Sequence, residues 1–124
     1  PRFNKMMMRQ RVKEAERVLQ MIYSSYSRYA IEHDMTRDDA PFNLSRDALD
    51  TEISHSTDFT VYPFVRNPEK YSNPNPYLTY AWYVLPEANL LLLIHESGEV
   101  SCYEFSGKIC YKLPYREFMT VLNE

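Results

Sequence analysis

The feature that most constrains this chain is its opening stretch, Phe3 to about Asp34, which reads FNKMMMRQRVKEAERVLQMIYSSYSRYAIEHD and contains no Gly and no Pro. Good helix formers fill its first two thirds. From Val12 the apolar and aromatic positions fall at Val12, Ala15, Leu19, Ile22, Tyr26, Tyr29 and His33. Steps of three and four put these on one stripe of a helix. Before Val12 the stripe fails, because Met6, Met7 and Met8 are consecutive and spread around the axis among Lys5, Arg9 and Arg11. Half of the helix therefore reads as docked and half as undocked. A helix over this stretch would span roughly 45 Å at 1.5 Å per residue. A compact domain of this size has a diameter of about 35 Å. The first turns, Phe3 to Arg11, are expected to project from the body. The chain opens on Pro1, and the expectation is that a further segment precedes it; a frayed end is the plainer alternative.

At 124 residues one domain is expected, 1–124, long enough to bury a core. It divides into a helical spine at 1–34, a connecting region at 35–58, a sheet at 59–113 and a tail at 114–124. A formal charge of −3 argues against a general nucleic-acid binder, and no nucleic-acid partner is expected. The 11 Tyr suit half-buried sheets and wet interfaces. The longest apolar run, Asn89–Ile94 (NLLLLI), is the length of a strand and not of a membrane span.

After the helix, Met35–Pro41 is polar, and Ser45–Leu49 fits one short helical turn with Ser45 as its N-cap. Asn43-Leu44-Ser45 has the form of a glycosylation sequon. Strands are expected at Phe59–Val65, with Pro63 marking an edge or bulge, at Tyr77–Leu85, and at Leu90–His95, the last buried on both faces. Val100–Phe105 and Lys108–Leu113 are expected to form a hairpin centred near Ser106. The order predicts an α+β fold, with the helix across a four- to five-stranded antiparallel sheet. The stripe is expected to pack on Tyr80, Trp82, Leu91 and Leu93.

Cys102 and Cys110 match neither zinc spacings nor C-x-x-C, but sit opposite one another on the expected hairpin. A disulfide is preferred to two buried thiols; closing so short a loop contributes roughly 2–3 kcal/mol and implies an oxidising compartment.

The search for chemistry is mostly negative. His33, His55 and His95 lie far apart, without a Cys/His cluster or H-E-x-x-H, so neither a metal nor another cofactor is called for. Asp34, Asp38 and Asp39 read as a solvated acidic loop before they read as a cation site. With two Gly there is no phosphate loop, and no G-x-S-x-G exists, so no catalytic residue is assigned and no enzyme is expected. YSNPNPY at Tyr71–Tyr77 is the best candidate recognition loop, with Tyr71, Asn73, Asn75 and Tyr77 as its contacts; the alternative is a stiff connector. If that loop bound a ligand, the chain would be a small secreted or periplasmic binding module.

The opening resembles the second half of the N-terminal helix of type IV pilins and type II secretion pseudopilins. Pro1-Arg2-Phe3 is similar to the family's hinge phrase, and Glu14-Ala15, Leu19, Ile22-Tyr23 and Tyr29 to its docked half. The order that follows (a connecting loop, an antiparallel sheet, a Cys pair near the end) is also the family's. The apolar half-helix that carries the family's cleavage site, methylated Phe and acidic residue is not within these residues. The resemblance implies a structural subunit of an extracellular or periplasmic filament, partnered by other pilin subunits. It also implies anchoring in the inner membrane, before assembly, through an N-terminal segment. Phe3, Lys5, Met6, Met7, Met8, Arg9 and Arg11 would then be its filament interface, the basic residues pairing with acidic groups on neighbouring subunits.

Overall fold

A computed structural model describes residues 5–33, 43–50, 59–66, 77–84, 89–104 and 110–112. One N-terminal helix packs against antiparallel sheets, an α+β arrangement. Helix α1 runs unbroken over Lys5–Glu32, 28 residues or about 42 Å. It closes where the His33 amide donates to the Tyr29 carbonyl at 3.0 Å.

The buried side of α1 carries Met8, Ala15, Val18, Leu19, Ile22 and Ser25, flanked by the partly buried Val12, Tyr23, Tyr26 and Tyr29. The expected stripe is present with two corrections. His33 is exposed, so the stripe ends at Tyr29. Met8 is 2% exposed and belongs to the core, so the stripe starts a turn earlier than expected. The physical reason is simple. Met8 lies four residues before Val12, which puts it on the same face of the helix. The helix is therefore docked almost to its start, and the projection expected over Phe3–Arg11 is confined to the first turn.

Strand β1 is Asn43–Ser45, followed by a 3-10 turn at Arg46–Ala48. Ser45 caps that turn, its hydroxyl accepting from the Asp47 amide at 3.3 Å. Strands β2 (Thr60–Val61) and β3 (Phe64–Arg66) come from the stretch that reads as one strand in the sequence. They belong to different sheets: β3 pairs with β1, and β2 pairs with β4 (Tyr77–Val84). The break falls at Pro63, which has no amide to donate to a ladder. Its carbonyl instead accepts the Arg46 amide at 3.0 Å. The remaining strands are β5 (Asn89–His95), β6 (Val100–Glu104) and β7 (Tyr111–Lys112). The larger sheet has the order β2-β4-β5-β6-β7.

Strand β5 is buried on both faces, as its unbroken apolar run predicts: Leu90 to Ile94 are 0–1% exposed. Its even-numbered residues, Leu90, Leu92 and Ile94, share the main core with α1, Ala81, Val100 and Cys102. Its odd-numbered residues, Leu91 and Leu93, face away and pack with Tyr77, Tyr80, Trp82 and Tyr103. This corrects the expected docking surface. The helix lies over the small Ala81 and Thr79, where its backbone can approach, and the bulky Tyr80 and Trp82 occupy the opposite face. A bulge between Tyr77 and Thr79 interrupts this alternation, so that Leu78 and Thr79 are both buried.

The end of the sheet departs from the expected hairpin. β6 and β7 run parallel, with Tyr103 opposite Tyr111 and Glu104 opposite Lys112. The Cys102–Cys110 disulfide is present, with a Cα–Cα distance of 5.4 Å.

Candidate functional site

The start of α1 presents Met6 (71% exposed), Met7 (45%) and Arg9 on the surface. Met8 points into the core and is unavailable to a partner. Arg11 is half-buried, and its guanidinium reaches the Met8 sulfur at 3.5 Å, so Arg11 packs partly on its own domain. Lys5 is the first residue of the helix, and Phe3 lies outside the described residues. Of the seven residues expected at a filament interface, Met6, Met7 and Arg9 form an exposed surface. That surface is unbranched, polarisable and basic, and suits an adaptable contact with apolar or acidic groups.

Further along α1, the outward face carries a groove of about 420 Å³ lined by Arg17, Gln20, Met21, Ser24 and Arg28. Both its cations are engaged. Arg17 bonds Glu14 one turn back, and this contact holds the Glu14 carboxyl below the usual carboxylate range. Arg28 forks onto Asp50 at 3.0 and 3.1 Å and also donates to the buried Ser25 hydroxyl at 3.0 Å. That fork ties the segment after the 3-10 turn to the helix.

Of the expected recognition loop, Tyr71, Asn73 and Asn75 lie outside the described residues. Tyr77 is not a loop residue but opens β4, half-buried, with its ring edge-on to His95 at 6.0 Å between centroids. Burial, and then its hydrogen bond with Tyr103, push the Tyr77 phenol up from its ordinary value. The sequence reading missed the row of rings beside it. Phe64, Tyr62, Tyr80 and Trp82 follow one another at 5.8, 4.6 and 5.5 Å. Tyr62 and Tyr80 are stacked, so one face of each is spent on the other. The row is visible in the sequence once β2 and β4 are paired, since the Tyr62 amide donates to the Tyr80 carbonyl at 2.9 Å. Without that pairing no local signal reveals it.

The third region surrounds the disulfide. Glu104 is fully buried, and its Oε1 accepts the Cys110 amide at 2.8 Å. Alternation along β6 could have found it, because Val100, Cys102 and Glu104 fall on one face.

Neither described histidine is placed for metal. His33 stacks on Tyr29 at 3.9 Å, with Nδ1 2.9 Å from the Tyr29 carbonyl. His95 Nδ1 lies 3.0 Å from the Ser97 amide and 2.9 Å from the Ser97 hydroxyl, within its own turn. His55, Asp34, Asp38 and Asp39 lie outside the described residues. Among the described residues no group of three or more His, Cys, Asp or Glu could hold a metal ion, and no helix is long and apolar enough to cross a membrane. No protein family, curated protein or solved structure matches this chain.

Proposed function

We propose that this chain is a structural subunit of an extracellular or periplasmic type IV pilus-like filament, a major or minor pilin or a pseudopilin. It assembles with other copies through its N-terminal helix and has no catalytic role. The observation that supports this reading is the use made of α1. One unbroken helix of 28 residues, buried along a stripe from Met8 to Tyr29, lies across the inner face of a mainly antiparallel sheet, and a disulfide joins β6 to the residue before β7. A filament subunit uses such a helix to carry load between its globular body and a core built by neighbouring copies.

In this reading Met6, Met7 and Arg9 face neighbouring subunits, and Met8 serves the subunit's own core. This reading requires an apolar segment that continues α1 upstream, to supply the filament core and the membrane anchor before assembly.

The test is the open reading frame around these residues. The codons before Pro1 should encode roughly twenty apolar residues, and the full-length product should be recovered in sheared surface filaments. A polar upstream segment, or a full-length product found only as a free monomer, overturns the reading.

A further inference from the structure

Strand β6 is fixed before the chain reaches Cys110. Its pairings with β5, from Ile94–Val100 to Leu90–Glu104, hold Glu104 on the sheet whatever follows. Tyr111 and Lys112 then lie parallel to the strand the chain has just left. Parallel neighbours ordinarily need a crossover of a dozen or more residues, so this return needs a local device to set it. All the partners share one offset: Cys102 with Cys110, Tyr103 with Tyr111, Glu104 with Lys112. Two pairs of ladder are few for selecting a register. The disulfide cannot select it either, because the bond forms only once the sulfurs have met in the required geometry.

The Glu104 side chain can. It lies on the inner face, 0% exposed, and its carboxylate accepts the amide of the residue that bears the second sulfur. A hydrogen bond from a backbone amide to a buried carboxylate is among the stronger ones, and Glu104 stands two residues from Cys102 on the same face. We propose that Glu104 is a positioning residue for the disulfide. In the reduced chain its carboxylate docks the Cys110 amide, and so brings the two thiols together in the register that β7 then adopts. The cysteines close by exchange with a small-molecule disulfide such as oxidised glutathione. One cysteine thiolate attacks it and releases one glutathione thiolate; the other cysteine thiolate then displaces the second glutathione, and the intramolecular S–S bond forms as the mixed disulfide breaks.

The experiment uses the full chain, reduced and then equilibrated in buffers of reduced and oxidised glutathione. The dithiol and disulfide forms are trapped by alkylation and weighed. Glu104→Ala should lower the disulfide-to-dithiol ratio severalfold, by less than the roughly tenfold worth of the hydrogen bond itself, because part of that bond is already made in the reduced chain. Glu104→Gln keeps a carbonyl acceptor and should recover most of that loss. A general loss of packing would lower the melting temperature of both redox forms and leave the ratio alone, so an unchanged ratio in Glu104→Ala overturns the proposal. A second measurement needs no variant. In the reduced wild-type chain the Cys110 amide should be protected from hydrogen exchange, and exchange at the rate of an open peptide overturns the proposal equally.

Discussion

The ring of Tyr23 lies against Gly98: a Cβ built on Gly98 would stand 3.1 Å from Tyr23 Cε1 and 3.3 Å from Cζ. This contact joins the middle of α1 to the β5–β6 turn. In that turn the Gly98 amide donates to the His95 carbonyl at 2.8 Å, and φ at Gly98 is +92°. Two costs therefore fall on any side chain here, the left-handed backbone and the aromatic ring. Gly98→Ala should destabilise the fold by about 1–3 kcal/mol, read from the midpoint of urea unfolding. Asn tolerates positive φ better than Ala, but its Cβ meets the same ring, so Gly98→Asn should recover only part of the loss.

Thr79 offers a change of the opposite sign. It is 0% exposed beneath α1, and its hydroxyl has no hydrogen-bond partner. A buried, unpaired polar group costs about 1–3 kcal/mol, and an apolar replacement of similar shape removes that cost. Thr79→Val should therefore raise stability by about 1 kcal/mol, seen as a higher urea midpoint with an unchanged slope. A lower midpoint would mean that the hydroxyl has a partner.

What could be read in advance follows from the physics of each element. The continuous NLLLLI run had to be buried on both faces because no alternation was present, and it is. The Ser45 cap was legible because capping is local, settled within residues 45–47. Which face of the sheet takes the helix was not legible. β5 is apolar on both of its faces, so its own pattern does not choose between them, and the bulge between Tyr77 and Thr79, which re-aims Tyr77 and Leu78, appears only once β4 is paired with β5. The parallel return of β7 was hidden for a similar reason, since the Cys spacing suits a hairpin and a parallel return equally. At the helix start, three consecutive Met concealed that one of them continues the stripe. Of the expected recognition loop, only Tyr77 can be placed, and it belongs to the sheet.

Tyr77 carries a pH prediction. Its phenol is raised above the ordinary value, first by burial and second by Tyr103. A raised folded-state value favours the protonated form in the fold. The associated stability is present below the unfolded value near 10 and is lost as pH rises through the higher folded value. Unfolding followed at stepped alkaline pH should show wild type losing more stability above about pH 10 than Tyr77→Phe, which has no phenol to ionise. Since burial is the larger cause, Tyr103→Phe should lower the Tyr77 titration only in part. A return to the ordinary value on removing Tyr103 alone would invert that order of causes.

The last prediction separates the two roles that three neighbouring methionines combine. Met8 sits in the core at 2% exposure, so Met8→Ala removes buried volume and should cost about 2–5 kcal/mol. Met6 is 71% exposed, so Met6→Ala should change stability by no more than about 0.5 kcal/mol. Met7, exposed at 45%, should cost more than Met6 and far less than Met8. If α1 is the assembly element proposed above, the order reverses in a full-length subunit assayed for filaments under conditions where every variant is folded. Met6→Asp and Met7→Asp, placed where a neighbouring subunit would press, should then reduce filament yield while leaving the melting temperature of the domain near that of wild type. Met8→Leu keeps the core filled and should leave yield unchanged. Full yield from Met6→Asp and Met7→Asp would mean that the first turn of α1 touches no neighbour, and the exposed methionines would lose their place in the assembly.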